Sequence, residues 1–240
     1  MVEIKKEPQP QAGTATVKSL ESLRSRIDAL DEELLALIER RLALSASAAT
    51  VKEKDATAPL RLRPRREAEI LDRLVDHASA APETLVRRVW RELMAFGLHA
   101  QGPIELLIHA PGRNTTVTEH TRARFGSAAA ITQVPDVEQC LHAARTREAV
   151  AIVELHPLSN WWVELGSEAA LRIFDTIGDE TGDILALAIG RVSEQDVPPS
   201  PLYPIIGMGS LELRRGKGEN IRALAAAGHL RLCLSQGTAR

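Results

Sequence analysis

The sequence predicts an α + α/β protein: three helices in its N-terminal part, the first long enough to need a partner chain, then an α/β domain. Two observations carry this. From Leu20 to about Gln101 apolar residues recur at helical spacing, and beyond Gly102-Pro103 short β-like runs alternate with helical ones. With 240 residues, 44% of them hydrophobic, both parts have enough apolar surface to form a core.

The helical part breaks twice, around Asp55–Pro64 and around Ser79–Pro82. In the first helix Leu23, Ile27, Leu30, Leu34, Leu37, Leu44, Ala48 and Val51 follow a 4-3-4-3 spacing, the seam of a helix that packs along another helix. The seam predicts about 35 residues, or ~50 Å. A second helix is expected from about Arg65, burying Ile70, Leu71 and Leu74. A third is expected after Pro82, burying Val86, Val89, Trp90, Leu93 and Met94. Two short helices do not cover a ~50 Å stripe, so a second copy of the chain is its natural cover. Residues 1–17 mix Pro, Gln, Lys and Thr without periodicity and read as a disordered tail. The helical domain is placed at 18–102 and the α/β domain at 103–240.

In that second domain IELLIHA, TVTEHTRARFG, AAAITQV, DVEQCLHAARTR and EAVAIVEL alternate β-like and helical grammar. ILALAIGRV and LRLCLSQ add β-like runs on either side of the Pro-rich DVPPSPLYP. Gly207/Gly209 and Gly216/Gly218 lack a full phosphate-loop fingerprint and read as turns. Trp161-Trp162 reads as packing.

Thirty Lys+Arg against 32 Asp+Glu leave a formal charge of −2, which gives no whole-protein attraction to nucleic acid. Any cationic site is therefore local. Cys140 and Cys233 fit no metal spacing and point to a reducing compartment. With neither a signal-like apolar core at the N-terminus nor a run approaching the ~20 residues that span a bilayer, a cytoplasmic protein is expected, with no membrane partner.

One position breaks the first seam. Four residues on from Leu37 stands Arg41, an arginine where the pattern asks for leucine. A buried unpaired guanidinium costs several kcal/mol, so an anion should meet it: a glutamate of a neighbouring helix, or a ligand. Lys52, eleven residues further, returns to nearly the same face ~16 Å along the axis, leaving room between the two arms for a small dianion. Arg24 stands seventeen residues before Arg41, ~25 Å away, and reaches that gap only from an antiparallel partner. Arg66 and Glu67 extend the second helix's apolar stripe to its N-terminus, though each also reads as an ordinary solvated or first-turn residue. Gln101, one turn after Gly97, shares the side of Leu93 and Met94, or is simply a helix-terminal amide.

Taken together, LRSRIDALDEELLALIERR, Val51-Lys52, Arg66-Glu67 and RELMAFGLHAQ resemble the all-α class of chorismate mutase, over about Leu20–Gln101. The resemblance implies a three-helix domain forming an intertwined homodimer. It makes Arg41, Arg66 and Arg24 of the partner subunit the holders of the carboxylates of chorismate. Lys52 and Gln101 become donors to the ether oxygen, and Glu67 the acceptor from the substrate hydroxyl. Chorismate becomes prephenate by a concerted rearrangement in which an ether C–O bond breaks as a C–C bond forms, so no cofactor or metal is implied. The protein holds the reactive conformer and stabilises charge growing on the ether oxygen. Two positions depart from the pattern: Arg63 stands where relatives often carry a polar or acidic contact, and Gly97 replaces a serine. A related pyruvate lyase acting on isochorismate lacks the carboxylate matching Glu67, so Glu67 favours the mutase.

APGRNTTVTEHTRARFG and VPDVEQCLHAARTREAVAIVELHPLSN resemble the opening of prephenate dehydratase, and the α/β domain is smaller than that enzyme's two lobes. Its catalytic Thr-Arg-Phe has no counterpart, because the corresponding strand reads GDILALAIGRV; Thr121-Arg122 and Phe125 lie in an early helix. A non-catalytic domain is expected, open to three roles: binding a small ligand, stabilising the dimer, or docking a downstream enzyme of aromatic amino-acid synthesis. The rival to the enzyme reading is a helical dimerisation arm on an α/β regulatory domain, with Arg41 and Lys52 paired to acidic side chains.

Overall fold

The computed structural model describes residues 12–47, 60–167, 170–178, 182–197, 203–208, 220–227 and 230–236. The chain divides into two compact units, residues 1–44 and 45–240.

The first unit holds most of helix α1, Ala12–Ser47. The helix begins six residues before the expected domain start, so residues 12–17 of the expected tail are helical. Once a turn is nucleated each further residue adds a hydrogen bond, and the alanine-rich AGTATV offers no proline to stop it. Its apolar stripe is open: Leu23 is 48% exposed, Leu30 57% and Leu37 56%. Ala48, Val51 and Lys52, the expected end of the seam, lie outside the described residues.

The second unit opens with α2, Pro64–His77, and α3, Glu83–His99, close to the expected starts. Pro64 sits in the first turn of α2, where its missing N–H costs no hydrogen bond, and Glu67 and His77 complement the helix dipole at the two ends. Leu71 of α2 and Val86 of α3 are buried as expected, Ile70, Leu74, Trp90, Leu93 and Met94 are half-buried, and Val89, also expected inside, is exposed.

Five strands then form a mixed sheet: β1 (Glu105–His109), β2 (Ala130–Gln133), β3 (Ala149–Glu154), β4 (Arg172–Gly178) and β5 (Ile184–Gly190), in the order β2-β1-β3-β5-β4. β1 runs parallel to β2 and β3, whereas β5 is antiparallel to β3 and β4. Helix α4, Asn114–Phe125, joins β1 to β2, and α5, Val137–Thr146, joins β2 to β3. Asp136 caps α5, accepting from the Gln139 N–H at 2.9 Å. β3 and β5 are apolar almost throughout because both faces are covered. Leu106, Ile108, Val150 and Ile152 pack with Val117 of α4 on one face, and Leu107, Ala151 and Val153 pack with Cys140 and Leu141 of α5 on the other.

A second, three-stranded antiparallel sheet holds β6 (Tyr203–Met208), β7 (Asn220–Ala227) and β8 (Leu230–Gln236), in the order β6-β8-β7. Three strands went unread in the sequence. β4 carries two register shifts, which spoil its alternation. β6 emerges from the Pro-rich stretch. β7 reads NIRALAAA, an alanine-rich run of helical propensity overridden by pairing with β8. Gly207 lies inside β6, not in a turn, because its neighbours pair with β8. Trp162 is fully buried and donates its Nε1–H to the Ser159 carbonyl at 2.6 Å, in line with a packing role.

Candidate active site

Arg24 and Arg41 both lie on α1; Arg24 is exposed, and partial burial lowers the Arg41 pKa from its ordinary value. Lys52 falls outside the described residues. The remaining expected site residues belong to the second unit.

At the start of α2, Arg63 is exposed at the N-cap and makes no side-chain capping bond. Arg66 is 62% exposed and pairs with Glu69 one turn on, at 3.3 Å. Glu67 faces the other way. Its Oε2 accepts from Nη1 of Arg124 on α4 at 3.1 Å, and both side chains are less than a fifth exposed. Arg124 also directs its Nε–H to Oδ2 of Asp175 on β4, 2.5 Å away. Burial alone would lower its pKa, but Asp175 and Glu67 raise it. Its guanidinium carbon sits 4.9 Å from the centre of the Phe125 ring, which meets Phe174 edge-on at 6.3 Å.

Arg91 of α3 borders the same place, with a buried Nε–H that finds no acceptor among the described residues. Burial lowers its pKa, and the charges of Arg124 and Arg87 lower it further. Glu67, Arg91, Arg124, Phe125 and Leu62 line a cavity of about 40 Å³ between α2, α3, α4 and β1. That volume suits a solvent molecule or two.

At the end of α3, Gly97 is buried, and Gln101 turns its Nε2–H back to the Gly97 carbonyl at 3.2 Å. Among the expected residues described, the structure therefore joins Gln101 to Gly97 and sets Arg66 beside Glu67 on one helix, with their side chains engaging different partners.

Arg91, Arg124 and Asp175 were not anticipated. Arg124 carried little signal, because the buried face of α4 is marked by Val117 and the polar Thr121, so no apolar stripe singles the arginine out. Asp175 had none, because β4 has no regular alternation.

In the helical part, residues 23–102 match the family described as chorismate mutase type II. Over 124 residues the chain is 31% identical to a bifunctional chorismate mutase/prephenate dehydratase of Pseudomonas aeruginosa, a match covering 50% of this chain and 34% of that protein. The chain thus spans about a third of the length of that relative. No solved structure matches it. Among the described residues no helix is long and apolar enough to cross a membrane.

Proposed function

We propose that this protein is a cytoplasmic chorismate mutase that converts chorismate to prephenate as a homodimer. The match of residues 23–102 to chorismate mutase type II carries the reading. Arg41 and Arg66, with Arg24 of the partner subunit, hold the two carboxylates; Lys52 and Gln101 donate to the ether oxygen; Glu67 accepts from the substrate hydroxyl. Arg63 and Gly97 lie beside this set, Gly97 offering only backbone. The open stripe of Leu23, Leu30 and Leu37 on α1 supports a helix-on-helix dimer. Gln101 reaches the substrate by giving up its bond to the Gly97 carbonyl, an exchange of one hydrogen bond for another that costs little.

The chemistry needs no nucleophile: bringing the enolpyruvyl side chain over the ring and stabilising the ether oxygen as its C–O bond breaks is sufficient. Purified full-length protein given chorismate is expected to form prephenate, and Lys52→Ala to slow turnover by about 10²–10³. Equal rates in the two proteins would refute the mechanism. A specific observation favours a second reading: Arg66, Glu67 and Gln101 are all engaged within their own chain. No prephenate from a folded wild-type dimer would leave the helical dimerisation arm as the function.

A further inference from the structure

In the second unit, Glu67 is held by an arginine of a different segment. Arg124 stands on the first helix of the α/β domain and forks between two carboxylates, Asp175 through Nε and Glu67 through Nη1. A guanidinium is planar and rigid, so the carboxylate that fixes one edge also fixes where the other points. Asp175 is itself fixed, because its Oδ1 accepts from the Thr176 N–H at 2.8 Å. Stacking on Phe125 limits the remaining rotation of the arginine.

We propose that Arg124, anchored by Asp175, is a positioning residue for the mutase reaction, holding the Glu67 carboxylate through which the substrate hydroxyl is bound. The inference rests on the reading above that Glu67 meets substrate. Arg124 engages Oε2 of Glu67, and the second oxygen of the carboxylate remains for the substrate hydroxyl. Fixing the carboxylate on one side removes rotamers that substrate binding would otherwise have to freeze. The α/β domain thereby acts in the mutase reaction without chemistry of its own: β4 holds Asp175, Asp175 orients Arg124, and Arg124 sets Glu67.

Arg124 touches no reacting atom, so its effect on substrate binding runs through Glu67. In the full-length protein, Glu67→Gln and Arg124→Met should each raise KM for chorismate by about tenfold with kcat changed less than about threefold, as expected for lost substrate binding. The double variant should be no worse than Glu67→Gln, because two groups acting through one contact are not additive. Asp175→Asn, which keeps the Arg124–Glu67 pair but frees the arginine, is the second variant should Arg124→Met fail to fold, and should raise KM about threefold. Arg124→Lys should not restore the wild-type KM, since an ammonium is a point charge without the fork.

Losses that multiply in the double variant, or a wild-type KM in both Arg124→Met and Asp175→Asn, would overturn the inference and leave the mutase reading intact. A wild-type protein that forms no prephenate overturns both, and that outcome is read before any variant is made.

Discussion

Arg113 and Glu154 meet at 2.9 Å on the carboxyl edge of the five-stranded sheet, where β1 and β3 run side by side and their connections leave in opposite directions. In open α/β sheets that edge is where ligands usually bind. Here Glu154 fills it, accepting from the Gly112 N–H at 2.8 Å and the Arg113 N–H at 3.3 Å, while Nη2 of Arg113 reaches the Leu155 carbonyl at 2.9 Å. Burial pushes the Glu154 carboxyl up, but the hydrogen bonds from Arg113 and Gly112 outweigh it and hold the carboxyl below its ordinary value. A depressed carboxylate stabilises the fold above its unfolded pKa, and this is lost as pH falls through the folded value. Glu154→Gln should therefore lower unfolding stability by about 1–3 kcal/mol at pH 7. The gap from wild type should close below about pH 4. Urea titrations at pH 7 and pH 3 measure both, and an equal gap at the two would remove Glu154 as the cause.

The amide of Gln101 needs no proton to act as a donor. Turnover of chorismate should accordingly stay level between pH 7 and pH 5. Gln101→Glu should introduce an acid requirement, with kcat at neutral pH down by about 10² and recovering towards pH 5. A steep rise of the wild-type kcat on going from pH 7 to pH 5 would count against the assigned role.

Helix α1 carries leucines on a stripe open to solvent, which a second α1 would cover. Sedimentation should give twice the mass of one chain. Leu30→Glu with Leu37→Glu returns four leucines per dimer to water at about 1.5–3 kcal/mol each, enough to weaken association by more than about a thousandfold. If the double variant sediments like wild type, the stripe is not the interface.

Cys140 lies on the buried face of α5 against Leu107, and burial, with the charge of Asp136, pushes its thiol up to about 12. In a Cys233→Ser background, alkylation of the folded protein at pH 8 should be slower than that of the unfolded chain by on the order of a thousandfold, because only the thiolate reacts. Comparable rates would show that the thiol is accessible and ionised.

Much of the architecture was legible because burial leaves periodic traces. The starts of α2 and α3 followed from proline and carboxylate placement, and β1, β3 and β5 from unbroken apolar runs that only a sheet covered on both faces needs. The strands β4 and β7 escaped because bulges and alanines weaken the trace, and pairing with β5 and β8 made them strands all the same. The residues proposed for the site stand out in the sequence as types: Arg41 as an intruder in a leucine seam, and Glu67 and Gln101 as polar groups on apolar faces.

The sequence by itself determined which helical face of each segment is apolar and which charged side chains interrupt it, since side-chain period is a local property of the chain. Only the tertiary structure decided what those charges meet. Glu67 faces Arg124, 57 residues away, and Arg124 faces Asp175, 51 residues further on. Such pairs obey no period: they depend on how α2, α4 and β4 are brought together around one core, and on burial strong enough to demand a countercharge wherever the packing places one.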